Sequence, residues 1–319
     1  SLYCHSNELT VLDISNNISL VNFGAANNDF TAFDISNNTA LSSVQLQGNE
    51  LTALDVSNNT ALTTLHVNTN DLTAFDVSNN TALTFISVAD NDLTAFDVSN
   101  NTALTKIMCQ HNQLTSLDVS NNTALVRLAC HDNQLTTLNM RNGVTDELEY
   151  FNATNNPDLS CIETLDPDYA TTNWTNDGGN IDESVIFSFI CGSEDQDVWH
   201  VATTGSDFSG SGTQESPFAT IQTGINAAGD GNTVQVAAGT YNENISWIGK
   251  NLMVKGAGSE ETIIDAQQLD NGVRIQNMDN TSLFEGFTIK NGTTITQDYP
   301  WVFGGGICMI NSHATLRDI

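Results

Sequence analysis

Leu51-Thr52-Ala53-Leu54-Asp55-Val56-Ser57-Asn58-Asn59-Thr60-Ala61-Leu62-Thr63-Thr64-Leu65-His66-Val67-Asn68-Thr69-Asn70-Asp71 decides how the N-terminal half of this chain is read. Within this stretch the spacing L-x-x-L-x-L-x-x-N occurs twice, first as Leu51, Leu54, Val56 and Asn59, then as Leu62, Leu65, Val67 and Asn70. Alternate residues of a strand face opposite sides, so each L-x-L core reads as a short strand with one apolar face. The 21-residue unit recurs six times in succession from Leu9 to Gln134. A unit this short buries its apolar face only by stacking on its neighbours, and the repetition therefore predicts a solenoid.

A period between about 20 and 29 residues with this spacing is the leucine-rich-repeat signature. Counting from the leading Leu, position 17 holds Cys4, Ala25, Leu46, Val67, Val88, Cys109 and Cys130. A slot that exchanges Cys with Val and Leu is a core slot, where a free thiol serves as a small hydrophobe. Cys109, His111, Cys130 and His131 would have the composition of a zinc site, but Cys130 and His131 are adjacent and strand alternation points them to opposite faces. Asn at position 20 (Asn28, Asn49, Asn70, Asn91, Asn112, Asn133) and the Asn pair at positions 8 and 9, as in Asn58 and Asn59, read as ladders that satisfy main-chain groups in the turns. Position 5 carries Asp13, Asp34, Asp55, Asp76, Asp97 and Asp118, one per coil. The column reads as a hydrogen-bonded edge tied to a nearby Ser, or as a weak cation stripe with calcium as its natural ion.

What varies between units lies at positions 14, 16 and 18, where a partner would be read: Tyr3, His66, Phe85, Lys106, Met108, Arg127 and His131 stand among smaller polar residues. The face offers few aromatic or Arg anchors, so a protein or glycan ligand, self-assembly into a homo-oligomer and a plain spacer are all open readings. Acidic residues outnumber Lys and Arg by 38 to 8, for a formal charge of −30. That balance excludes phosphate-driven binding to nucleic acid and disfavours anionic membranes. No run of about 18 apolar residues is present, so direct insertion across a bilayer is not expected. The chain begins at Ser1 inside the repeat register and is expected to be a piece of a longer polypeptide.

The seventh unit starts at Leu135 and is lengthened by Asn142 and Gly143. A cap must then cover the exposed apolar edge, and Cys161 and Cys191, which bracket it outside the repeat register, are expected to form a disulfide and to place the protein in an oxidising, extracellular compartment. The repeats and this cap resemble bacterial secreted leucine-rich-repeat proteins of the irregular 21-residue class. That resemblance implies a secreted or cell-surface protein, often exported by the type IX route. Glu194, Asp195 and Asp197 follow in an acidic linker that could share a calcium ion.

From Val198 the texture changes to short strands divided by Gly and Asn turns, among them Val234-Val236, Leu252-Val254, Ile263-Ile264, Val273-Ile275, Phe287-Ile289 and Ile307-Met309. A helix is expected to start at Ser216-Pro217, with Ile221, Ile225 and Ala228 on one face. Gly205-Ser206-Asp207, Ser216 to Gln222, Gly239-Thr240-Tyr241, Gly286 to Gly292 and Gly304 to Ile307, in that order, resemble the N-terminal portion of the pectate-lyase-like β-helix family. That family includes polysaccharide lyases and hydrolases as well as adhesive shafts. Lys250, Lys255, Arg274, Lys290 and Arg317 are the basic candidates for lyase chemistry, with Asp265, Asp270, Asp279 and Glu285 as carboxylate partners, and no pair is placed on one face by the sequence.

The expected architecture is mainly β. Leucine-rich repeats occupy residues 1–158, their cap 159–192, a linker 193–197, and the start of a right-handed parallel β-helix, truncated at 319, residues 198–319. The function that follows is a non-catalytic extracellular surface protein, an adhesin or a structural segment of a fibre. Its alternative is a polysaccharide lyase or hydrolase with the repeats as a targeting module. Ice binding by the Thr ladder from Thr10 to Thr115 is disfavoured by the neighbouring Asp column.

Overall fold

The computed structural model describes residues 1–193, 195–293 and 305–319. Glu194 of the acidic linker and Gly304 of the last glycine motif lie outside the described residues. The chain divides into two compact units, Ser1–Cys191 and Gly192–Ile319.

In the first unit the second half of each repeat forms a strand. Leu2–Tyr3, Asn22–Gly24, Ser43–Gln45, Thr64–His66, Phe85–Ser87, Lys106–Met108, Arg127–Ala129 and Tyr150–Asn152 make one eight-stranded parallel sheet. The pairing advances by the repeat length: Leu65 lies opposite Ile86, Ile86 opposite Ile107, and Ile107 opposite Leu128. Leu128 then meets Phe151, two residues later than that rhythm, because Asn142 and Gly143 are inserted. The central residue of each strand points inward, so Leu51, Leu54, Val56, Leu62, Leu65 and Val67 of one unit are all buried.

The first half of the repeat behaves differently from the strand expected of it. In the early copies the segments around Leu12, Leu54 and Phe75 are irregular, and strands appear there only late, at Ser116–Asp118 and Thr137–Met140. These two continue into Cys161–Thr164 and Ile186–Ser188 as a four-stranded parallel sheet. Side chains take the place of the missing ladder. Asp55 Oδ1 accepts the Ser57 N–H at 2.9 Å, and Asn59 Nδ2 donates to the carbonyls of Ile35 and Asn38 in the preceding coil, each at 3.0 Å. Competition of this kind between Asp or Asn side chains and the main chain turns a strand into a turn.

The position-20 Asn does parallel work beside the long sheet. Asn70 Oδ1 accepts the Leu51 N–H at 3.0 Å, and its Nδ2 donates to Leu46 O at 3.1 Å and Val67 O at 3.0 Å. With a longer contact to Asn68 O at 3.4 Å, one buried amide therefore binds four main-chain groups from two successive coils. The end of the unit is closed by helix α1 (Pro167–Asn173), capped by Asp166, which accepts the Tyr169 N–H at 2.9 Å. Trp174 packs there between Phe151 and Phe187. Cys161 and Cys191 are joined by a disulfide, and Glu163 ties it to the repeats by accepting the Cys191 N–H and pairing with the buried Arg141 at 3.3 Å.

The second unit consists of three parallel sheets. One holds Val198–Val201, Thr233–Val236, Met253–Lys255, Leu283–Glu285 and Thr315–Arg317. Another holds Gly239–Tyr241, Thr262–Asp265 and Thr288–Lys290, and the last holds Ile245–Ile248, Val273–Gln276 and Ile307–Ile310. Each complete turn of chain gives one strand to each sheet in the same order, and Val234, Val254, Phe284, Ile264, Trp247 and Ile275 fill the interior. Helix α2 is Ile221–Ala227 with Thr220 as its cap, so it starts later than Ser216-Pro217 promised. Residues before it are held by sheet-like pairing, since Phe218 N–H donates to His200 O and Ala202 N–H to Phe218 O, each at 2.9 Å. Gly224 lies against the side chains of Val201 and Val234, where a Cβ would come within 2.8 Å of each.

Asn70→Ala would leave the buried Leu51 N–H unpaired and remove one of two amide donors from Leu46 O and Val67 O, which keep Asn49 and Asn91, and is expected to lower the unfolding free energy by about 1–3 kcal/mol. The partly exposed Asn68→Ala, in the same turn, should change it by no more than about 0.5 kcal/mol. Urea denaturation of the two variants checks the difference.

Candidate functional site

The eight-stranded sheet carries two outward rows of alternating side chains, the second of them partly covered, since Gly24, Ser87 and Ala129 are buried. One row runs through Thr64, Phe85, Lys106, Arg127 and Tyr150, which the register sets side by side on consecutive strands. The other runs through Tyr3, Gly24, Gln45, His66, Ser87, Met108 and Ala129. Phe85, Lys106, His66 and Met108 are half-buried by their neighbours, whereas Arg127, Tyr3 and Tyr150 are exposed. The rings of His66 and Phe85 lie 4.6 Å apart, and burial pushes the His66 imidazole below its usual pKa, toward the neutral form. Arg127 is steered by Glu149, with Nη2 to Oε2 at 3.1 Å between two well-exposed groups. Tyr150 escapes a reading by repeat position because the inserted residues of the seventh unit displace it from the counting frame.

The Asp column is an edge of single carboxylates. Asp13, Asp34, Asp55, Asp76, Asp97 and Asp118 each accept the N–H of the Ser two residues on, at 2.8 to 2.9 Å. The Ser side chain is the main cause holding Asp13, Asp34 and Asp55 below the ordinary carboxylate range, and the Ser78 main chain does the same for Asp76. Each Asp is bound to its own turn.

Cys109 and Cys130 are fully buried. Burial lifts the Cys109 thiol to about 12 and Cys130 well above its ordinary value, so neither supplies thiolate at neutral pH. His111 and His131 stand on the outer side, His131 partly buried and its pKa lowered mainly by that burial.

In the second unit the charges named from the sequence are distributed over separate sheets. Glu285 stands between Lys255 at 3.8 Å and Arg317 at 3.7 Å on the five-stranded sheet, and Lys290 meets Asp265 at 3.2 Å on another. Arg274 donates to Gln276 Oε1 at 3.3 Å on the remaining one. Lys250 is occupied with the end of α2, its Nζ donating to the carbonyls of Ile225, Asn226 and Ala228 at 2.8 to 3.3 Å. Asp279 is held by Thr281, whose side chain and main chain lower its pKa. At the start of the helix Asp207 accepts the N–H groups of Ala219 and Thr220, and Glu243 those of Ile221 and Gln222. These two carboxylates have no signal in the sequence, since nothing in the spacing of Asp207, Glu243 and the helix says that they meet.

The first unit is a parallel β solenoid whose 21-residue coils keep the leucine-rich-repeat spacing. A family model described as "LVIVD repeat" matches residues 4–24, 44–69 and 83–109, and one described as "Protein of unknown function (DUF1565)" matches residues 203–247. No curated protein matches the chain. Among solved structures, the functional domain of InlJ from Listeria monocytogenes, described as including a cysteine ladder, is 23% identical with a TM-score of 0.46, over 76% of this chain and 61% of that one. The chain thus spans less than two thirds of that domain's length. The Leptospira interrogans LRR protein LIC12759 is 13% identical with a TM-score of 0.43, over 81% of this chain and 76% of that one. An internalin, inlF of Listeria monocytogenes, is 15% identical with a TM-score of 0.35, over 86% and 84%. No helix among the described residues is long and apolar enough to cross a membrane.

Burial raises the Glu243 pKa in the folded chain, so the native state holds this proton more tightly than the unfolded one. Its contribution to stability is therefore greatest below the unfolded carboxylate value of about 4.3 and falls as pH rises toward the folded value. The unfolding free energy of the wild type minus that of Glu243→Gln should accordingly decrease as pH is raised through this window, as measured by denaturation at a series of pH values.

Proposed function

We propose that this chain is a non-catalytic recognition segment of an extracellular bacterial surface protein, acting in attachment by binding an acidic patch on a protein partner. The observation that carries this reading is the row Phe85, Lys106, Arg127 and Tyr150, an aromatic–basic–basic–aromatic run on consecutive strands of one sheet. On a chain of formal charge −30 with only eight Lys and Arg, two of the eight stand next to each other on the face where the repeats vary. Aromatic and Arg side chains are the groups that dominate binding energy at protein interfaces, and a local positive patch on an acidic molecule orients an acidic partner. Tyr3, His66, Met108 and His131 extend the same surface.

The disulfide between Cys161 and Cys191 supports the extracellular location, because such bonds persist where the surroundings are oxidising. In the second unit, three parallel sheets fed in rotation by each turn of chain support the reading as the start of a right-handed parallel β-helix, and hence as a shaft. Calcium along the Asp13 to Asp118 column is an accessory of this reading, a loosely held counterion.

Binding of the chain to arrays of extracellular proteins and acidic glycans tests the proposal. Retained protein hits should weaken by at least about thirtyfold in the combined variant Phe85→Ala, Lys106→Ala, Arg127→Ala, the equivalent of ~2 kcal/mol at an interface hot spot. Undiminished binding by that variant would remove the sheet face from the reading. Calcium-dependent release of unsaturated sugar from an acidic polysaccharide by a chain extended past Ile319 would replace the reading with a polysaccharide lyase.

A further inference from the structure

The sequence offers four zinc-type side chains at Cys109, His111, Cys130 and His131; Cys130 and His131 point to opposite sides as their adjacency predicts, and His111 leaves the side of Cys109 where the backbone turns left-handed past the strand. The two thiols point into the core, where Cys109 Sγ approaches Ala129 O and Cys130 Sγ approaches Asn152 O. The two imidazoles remain outside, and the coil geometry adds a carboxylate to them that is absent from the set of four. His111 and Asp132 occupy the same position in successive coils, each with left-handed backbone at φ 55°, and their main chains stack through the His111 N–H to His131 O bond at 3.1 Å. This turn carries the Asp132 carboxylate in between the two imidazoles.

Asp132 Oδ2 lies 3.6 Å from His111 Nδ1 and 3.8 Å from His131 Nε2. Both separations are too long for a hydrogen bond. They are close to the span of about 3.3–3.5 Å between two donor atoms of a tetrahedral ion with bonds near 2.1 Å. Among the described residues this is the one group of three or more His, Cys, Asp or Glu side chains whose ligand atoms all lie within 4.8 Å of one another. The imidazoles meet edge to face at 77°. Asp132 Oδ1 accepts from Asn155 Nδ2 at 2.9 Å, which orients the carboxylate from behind as an outer-shell partner does. Asp90 stands at the same position one coil earlier and adds negative charge along the column.

We infer that His111, His131 and Asp132 form a site for a divalent transition metal, zinc above all, that clamps two successive coils of the repeat unit. Two imidazoles and one carboxylate suit zinc, cobalt or nickel, whereas calcium and magnesium call for a shell of oxygen. Three protein ligands leave the remaining position to water, and the half-exposed His111 keeps the site open to solvent.

Calorimetric titration of the untagged, chelator-treated full chain with zinc chloride tests the assignment. One zinc ion per chain is expected, and saturating zinc should raise the thermal midpoint. His111→Ala, His131→Ala and Asp132→Asn should each weaken binding at least about tenfold. Thermal unfolding of each variant without metal, at the wild-type midpoint, shows that the loss belongs to the site. Should His131→Ala fail to fold, the more exposed His111→Ala and the isosteric Asp132→Asn still decide the matter. Cobalt should give ligand-field bands without a thiolate charge-transfer band. Absence of binding, undiminished affinity in folded variants, a thiolate band, or equal affinity for calcium would each overturn the proposal.

Discussion

Every coil of this chain must find partners for its main-chain N–H and C=O groups in the coils beside it, and the rest of the molecule depends on how that is done. A buried polar group left unpaired costs about 1–3 kcal/mol. In the first unit the long sheet satisfies one side of each coil, and buried amides satisfy the turns. Asn70 joins Leu46, Leu51 and Val67, while Asn59 joins Ile35 and Asn38. Leu, Val and Ile fill the interior beside these amide ladders.

The second unit meets the same requirement with charged groups at its entrance and sheets elsewhere. Asp207 and Glu243 take four N–H groups leading into α2, and Lys250 takes three carbonyls at its other end. A helix of two turns has too few internal bonds to stand alone, so its two ends are held by carboxylates and an ammonium from distant parts of the chain. Lys255 and Arg317 flank Glu285 in one row of the five-stranded sheet, whereas Lys290 pairs with Asp265 on another sheet and Lys250 is used at the helix end.

With core and turns committed to stacking, inward positions exchange one small or apolar residue for another, while charged and aromatic residues vary along the outward rows of the long sheet and in the turn that follows it. The sheet row supplies an aromatic and basic surface of the kind that recognises an acidic protein. The following turn, at His111 and Asp132, gathers nitrogen and oxygen ligands because its left-handed backbone swings consecutive coils' side chains toward each other. The proposed recognition and metal sites thus fall at positions where the repeat imposes a backbone shape but not a residue type.

The sequence by itself determined the repeat, its inward Leu positions, the Asn ladders and the change of texture at Val198, because each of these is a periodic or local pattern; the Asp column stood open between a Ser-tied edge and a cation stripe, and the bond of each Asp to the Ser two residues on is seen only in the structure. It overstated the strand character of segments such as Leu54 to Val56, where Asp55 and Asn59 compete with the main chain for the bonds a strand would need. Only the tertiary structure decided which charged and polar side chains meet. The placing of Asp132 between His111 and His131, of Tyr150 beside Arg127, of Glu163 on Arg141, and of Glu243 on the start of α2 follows from coil stacking and left-handed turns. Those contacts join residues about twenty or more positions apart, or swing a side chain through a positive φ, and neither leaves a mark in the spacing of hydrophobic residues.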